Sequence, residues 1–238
     1  MDSLCISYPK SGRTWLRVML RELDAPIAFT HLDTGHNSRS WGKPARKINT
    51  PRANVDRIIF LYRDPRDTVV SYFYETTIRQ KPDLSRAILY RLQRRSAPQT
   101  MPALVRSHRF GIEKIIVFNL LCAEHLKAHP VAYEDLRKDT VEQLSTILNH
   151  IGVIRPMEQI SEVVENNSFA KMHRREASGS YGKPELEARD RGNPNSFKVR
   201  RGKVGGWRDE LDPATQEFAH RMLDKYRYFE RMRELASS

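Results

Sequence analysis

The chain has 238 residues, 39% of them hydrophobic and 9% aromatic, and a formal net charge of +12. That is enough for one well-buried domain and too apolar for a disordered chain. There is no apolar run of about 18 residues, no signal peptide and no transit segment, so a soluble cytoplasmic protein is expected. A basic surface concentrates anions, and nucleic acid, anionic lipid and a multiply charged nucleotide all satisfy it. Much of the excess lies in residues 39–66 and 171–208, where a solvated face is the plainer reading.

In chain order, the run Leu4-Cys5-Ile6-Ser7 reads as a strand, followed by a loop and then by Leu16, Met19, Leu20 and Leu23 at helical spacing. Ile58 to Tyr62 is a continuous apolar run, as a parallel strand buried on both faces requires. After it Asp64 suits an N-cap, Pro65 the first helical position and Asp67 the first turn of a helix running to about Arg79. Residues 84–95 and 110–127 read as helices, Pro130 to Tyr133 as a short strand, and 139–151 as an amphipathic helix. Residues 173–206, rich in Gly, Asn, Ser and charge, read as a long loop, of the kind that forms a lid or stays disordered. A last helix begins after Asp212-Pro213 and carries Phe218, Met222, Tyr226 and Phe229. Strands alternating with helices predict an α/β fold, three layers with a central parallel sheet, in a single domain over residues 1–238. Cys5 and Cys122 make no metal or redox motif and read as core thiols.

The stretch Tyr8-Pro9-Lys10-Ser11-Gly12-Arg13-Thr14-Trp15 joins the first strand to the first helix. A helix N-terminus there presents unpaired N–H groups and the positive end of the dipole, which makes an anion site. Gly12 allows close backbone approach, Lys10 adds a point charge, and Ser11 and Thr14 add donors. The lysine precedes the glycine, so the stretch is not the GxxxxGK[ST] loop of nucleoside triphosphate sites. No metal ligand set is evident.

This stretch resembles the 5′-phosphosulfate loop, YPKSGTTW, of the cytosolic-type sulfotransferases, whose donor is 3′-phosphoadenosine 5′-phosphosulfate (PAPS) and whose nucleotide product is 3′-phosphoadenosine 5′-phosphate (PAP). Four further segments resemble that family in order: Arg63 to Ser71, its 3′-phosphate motif; Tyr133-Glu134-Asp135-Leu136; Asn167-Ser168-Phe169 with Met172; and Arg200-Arg201-Gly202 up to Trp207, its RKGxxGDW motif. The chain looks like a short, bacterial-type member with the P-loop-type fold. The resemblance implies that the phosphosulfate lies on the backbone of Ser11, Gly12, Arg13 and Thr14, with Lys10 at the bridging oxygen. It implies that Trp15 and Phe169 sandwich the adenine, helped by Tyr133, and that Arg63, Ser71, Arg200, Arg201 and Gly202 hold the 3′-phosphate. The loop at 173–206 would then be a lid over that phosphate.

Sulfuryl transfer needs a base for the acceptor hydroxyl and positive charge at the leaving phosphate. In the family the base is the histidine of a KTH segment, and Phe29-Thr30-His31 is the best match, with His36 the alternative. Catalytic roles therefore fall to Lys10 and His31, without a metal. Two rival readings are a kinase-like phosphotransferase and a basic nucleic-acid-binding module, the second of which leaves the order of five motifs unexplained. The expected acceptor carries a hydroxyl on a small molecule, a lipid or a carbohydrate, read by residues 36–55, 80–110 and 173–198. The KxxxTVxxxE dimer motif of the family would fall at Arg208 to Glu217, where Asp212-Pro213 replaces Thr-Val, so the oligomeric state stays open.

Overall fold

The first apolar run forms β1 (Ser3–Ser7), and its alternating side chains enter two separate cores: Ile6 packs into one and Cys5 into the other. That alternation places the strand in the middle of a sheet. In the computed structural model, which describes residues 3–32, 55–79, 96–181, 188 and 190–236, the sheet has four parallel strands in the order β2-β1-β3-β4. The others are β2 (Ile27–Thr30), β3 (Arg57–Tyr62) and β4 (Ala128–Ala132). Ile58 to Leu61 of β3 are buried throughout, as their unbroken apolar run demands.

Helices cover both faces. On one side α1 (Arg13–Glu22) buries Leu16, Met19 and Leu20 against Cys5, Ile59 and Leu61. On the other, α2 (Pro65–Tyr74) buries Val69, Val70 and Tyr72 beside Ile6 and Phe60. Asp64 caps α2 by accepting from Arg66 N at 2.8 Å, and a π-helical turn, Glu75–Arg79, carries it on to the expected end. There follow α3 (Met101–Val105), α4 (Ile112–His125), α5 (Tyr133–Lys138), α6 (Thr140–His150), α7 (Met157–Asn166) and α8 (Phe169–Ser178). The chain closes with α9 (Trp207–Glu210), α10 (Pro213–Lys225) and α11 (Tyr228–Ala236). Helix, sheet and helix make the three expected layers. No helix among the described residues is long and apolar enough to cross a membrane. Cys5 and Cys122 are buried free thiols.

Several boundaries differ from the expectation. The segment expected to be loop from residue 173 begins as the second half of α8, and Tyr133 starts a helix instead of ending a strand. The terminal helix is broken at Arg227, whose φ of 48° is left-handed. The break turns Tyr228 into the core, where its hydroxyl accepts a hydrogen bond from Asn119 Nδ2 at 2.8 Å, and leaves Phe229 44% exposed. The helix expected at 84–95 lies outside the described residues.

The sheet order decides where a ligand can sit. Ser7 of β1 is in register with Leu61 of β3, and Ile6 with Thr30 of β2, so all the following loops leave from one edge. The chain goes from β1 outward to β2 and then crosses to β3 on the other side of β1. A crevice opens at such a reversal, outside the carboxyl ends of the two central strands. The loops entering that crevice are Tyr8 to Gly12 and Arg63 to Asp64.

Candidate active site

The backbone after β1 curls through two left-handed residues, Lys10 at φ 74° and Gly12 at φ 94°. Trp15 N and Leu16 N both donate to Gly12 O, at 3.0 and 3.2 Å, whereas the N–H groups of Arg13 and Thr14, at the start of the helix, have no acceptor in a preceding turn. A Cβ on Gly12 would lie 2.4 Å from Tyr133 Cδ2. The missing side chain of Gly12 leaves room for the Tyr133 ring. Gly12→Ala therefore meets both a left-handed backbone, costing roughly 1–2 kcal/mol, and a steric clash. It is expected to lower the melting temperature and weaken nucleotide binding together, which thermal unfolding with and without nucleotide will measure.

Around this loop lies a cavity of about 350 Å³. Its walls include Lys10, Gly12, Arg13, Thr14 and Trp15 from the first loop, and His31 from the end of β2. Arg63 and Ser71 enter from β3 and α2, Tyr133 from α5, Phe169 from α8, and Arg200, Arg201 and Gly202 from the segment before α9. Of Lys10 to Trp15, His31, Arg63, Ser71, Tyr133, Phe169 and Arg200 to Gly202, all line it except Ser11, which is 1% exposed and whose Oγ is buried without a hydrogen-bond partner among the described residues. His36 lies outside the described residues.

Arg63 crosses the Tyr133 ring with Cζ 4.5 Å from the centroid, and its Nη2 donates to Lys203 O at 3.2 Å. The same nitrogen is 3.5 Å from Asp67 Oδ2, while Nε is buried with no partner among the described residues. Asp67 is the anchor of the last motif. It is 3% exposed and accepts from Gly205 N at 2.7 Å and from Trp207 N at 3.0 Å, binding that distant segment to α2. Gly202, at φ 59°, packs under Phe169, whose Cδ2 would be 2.3 Å from an added Cβ. Arg200 lies 4.0 Å from the Tyr74 ring centroid and donates to Glu210 Oε1 at 2.6 Å. Arg201 is half exposed and 3.4 Å from the same carboxylate.

Trp15 is fixed by a 2.8 Å bond from Nε1 to Asn167 O. Asn167 is itself fully buried, donating to Glu22 Oε2 at 2.7 Å and to Val163 O at 2.9 Å. Between Trp15 and Phe169 stands the Arg137 guanidinium, 5.3 and 6.0 Å from the two ring centroids. The two aromatic rings thus flank one slot, and Arg137, which the sequence reading missed, shares it.

His31 Nδ1 is 2.7 Å from Ser7 O. A carbonyl only accepts, so the neutral ring carries its proton on Nδ1 and keeps a lone pair on Nε2. Lys10 Nζ donates to Glu75 Oε2 at 2.7 Å, in the π-helical turn after α2. Glu75 is 1% exposed; burial alone would raise its pKa, but Lys10, Lys198 and Arg79 outweigh that and hold the carboxyl well below its ordinary range. Neither Glu75 nor Lys198 could be picked out in the sequence, because each lies in a run whose pattern is explained by its neighbours.

A family model described as the sulfotransferase domain matches residues 50–236. Flavonol 3-sulfotransferase of Flaveria bidentis is 22% identical over 272 residues, covering 94% of this chain and 81% of that protein. Sulfotransferase 1A1 of Rattus norvegicus is 24% identical over 261 residues, covering 91% and 81%. Among solved structures, the mouse sulfotransferase SULT7A1 complexed with PAP superposes with a TM-score of 0.61 at 18% identity, covering 99% of this chain and 87% of that one. Retinol dehydratase in complex with retinol and PAP gives 0.57 at 17% identity, covering 94% and 80%.

Proposed function

The chain belongs to the sulfotransferase family, and on that premise we propose that it moves the sulfuryl group of PAPS onto the hydroxyl of a small-molecule acceptor and releases PAP. The observation that carries this reading is the meeting of three cationic segments, Tyr8 to Trp15, Arg63 to Ser71 and Arg200 to Gly202, on one cavity at the reversal of the strand order. The cavity suits an anion: Nε of Arg63, which lines it, is a buried donor without a partner among the described residues, and a buried donor left unmatched is costly. The PAP bound to two structurally similar proteins supports the same donor.

In this reading the reaction is an in-line displacement at sulfur. His31 Nε2 accepts the proton of the acceptor hydroxyl as its oxygen attacks, and the bond from Nδ1 to Ser7 O holds the ring in position. Lys10 leaves Glu75 for the oxygen that bridges sulfur and phosphorus and neutralises the charge growing there. The first-turn N–H groups of α1 hold the 5′-phosphate. Arg63, with Ser71 and the Arg200 to Gly202 segment, holds the 3′-phosphate at a distance from the chemistry, while Trp15, Phe169 and Tyr133 enclose the adenine. The flavonol acted on by one relative supports a hydroxylated small molecule as the acceptor class.

A thermal-shift titration with PAP, AMP and ATP tests the donor assignment. PAP at about 100 times its Kd is expected to stabilise the fold by about 2.7 kcal/mol, with a much smaller response to AMP and ATP. An equal response to ATP overturns the assignment in favour of a phosphotransferase.

A further inference from the structure

We infer that Lys198 is a second cation on the transferring group: it contacts the sulfuryl oxygens while Lys10 takes the bridging oxygen, and buried Glu75 is the positioning carboxylate that holds both lysines in the cavity wall. The inference rests on the sulfuryl-transfer reading and adds to it a residue of the 173–198 segment, which the sequence assigns to reading the acceptor.

Two lysines share one carboxylate. Lys10 Nζ is 2.7 Å from Glu75 Oε2, Lys198 Nζ is 3.4 Å from Oε1, and both lysines line the cavity. Arg79 Nε approaches the same carboxylate at 3.9 Å. Lys198 is not a solvated loop charge, for its side chain is only 22% exposed and its backbone is pinned on both sides. Its own N–H donates to Glu176 Oε1 and the N–H of Val199 to Glu176 Oε2 at 2.8 Å, and Glu176 is fully buried in α8. Just before it, Ser196 O accepts from Arg79 Nη1 at 2.8 Å. Two residues on, Arg200 turns to Tyr74 and Glu210, so the lysine and the arginine of this segment serve different places.

The chemistry follows from donor counts. An ammonium has three N–H donors, and Glu75 engages one on each lysine. When Lys10 moves to the bridging oxygen, Lys198 keeps Glu75 partnered, so the buried carboxylate never stands alone, which would be costly. The remaining N–H groups of Lys198 are then available to the sulfuryl oxygens. Lys198 transfers no proton and forms no bond: the sulfur to bridging-oxygen bond breaks, the bond from sulfur to the acceptor oxygen forms, and the acceptor proton goes to His31. Burial, then the nearby Lys10 and Arg79, lower the Lys198 pKa to about 8 against the opposing effect of Glu75.

PAP and PAPS differ only by the sulfuryl group, so their affinities separate this role from phosphate binding without any need for an acceptor. Calorimetric titration of Lys198→Met is expected to show PAP affinity within about threefold of the wild type and PAPS affinity lower by roughly 10- to 100-fold, the loss of one charge-assisted contact. Lys198→Arg should keep PAPS affinity within about threefold. Unchanged PAPS affinity in Lys198→Met, or equal loss of both ligands, overturns the inference. A wild-type protein that binds neither nucleotide overturns the donor assignment itself, and the inference with it.

Discussion

His31→Ala is expected to bind PAP as tightly as the wild type and to transfer sulfuryl groups more slowly by roughly 10²- to 10⁴-fold, the usual contribution of a positioned general base. The split between binding and rate follows from where the residue stands. His31 directly follows β2, at the outer end of the cavity wall, whereas the cationic segments proposed for the two phosphates leave from β1, β3 and the stretch before α9. The bond from Nδ1 to Ser7 O at 2.7 Å ties it to the backbone just before the Tyr8 to Trp15 segment. Removing the imidazole is therefore expected to leave the nucleotide contacts in place and to take away the proton acceptor. Single-turnover transfer from labelled PAPS to an acceptor found by screening, run beside a PAP titration, reads both quantities. If His31→Ala transfers within about threefold of the wild type while His36→Ala does not, the role of base passes to His36.

The parts of the structure legible in the sequence are those decided by local pattern. β1 and β3 are central strands, buried on both faces, and so appear as unbroken apolar runs; Asp64-Pro65 announces a helix start by its own chemistry. β2 escaped notice because it is a four-residue edge strand in which only Ile27 is buried. The break at Arg227 is likewise invisible locally, since the Asn119 that holds Tyr228 comes from a distant helix. The site shows the same division. The residues of the Tyr8 to Trp15 and Arg200 to Gly202 segments could be named, whereas the carboxylates that fix these segments, Glu75 and Asp67, could not. Asp67 reads as an ordinary first-turn acid and Glu75 as the end of a helix. Their roles arise from partners brought in by the fold: backbone N–H groups 138 and 140 residues later for Asp67, and Lys10 and Lys198 for Glu75.

Asp67 carries the other large expected effect. Its two oxygens accept from Gly205 N and Trp207 N, and Oδ2 also faces Arg63, at side-chain exposures of 2% for Asp67 and 11% for Arg63. Asp67→Ala strips one partner from a buried ion pair and two backbone donors of their acceptor, a change expected to cost about 3–5 kcal/mol. The damage falls on the hinge between α2 and the segment carrying Arg200 to Gly202, so PAP affinity should fall by at least 100-fold along with stability. Asp67→Asn keeps the shape and one acceptor oxygen, and should lose less of both. Urea unfolding and PAP titration of the two variants test the argument together. If Asp67→Ala loses stability while holding PAP as the wild type does, the anchored segment does not bind the 3′-phosphate. A variant unchanged in both measurements would instead mean that α2 and the last motif are held together by other contacts, of which Arg66 against the Trp207 ring, 4.3 Å from its centroid, is the first to examine by mutation.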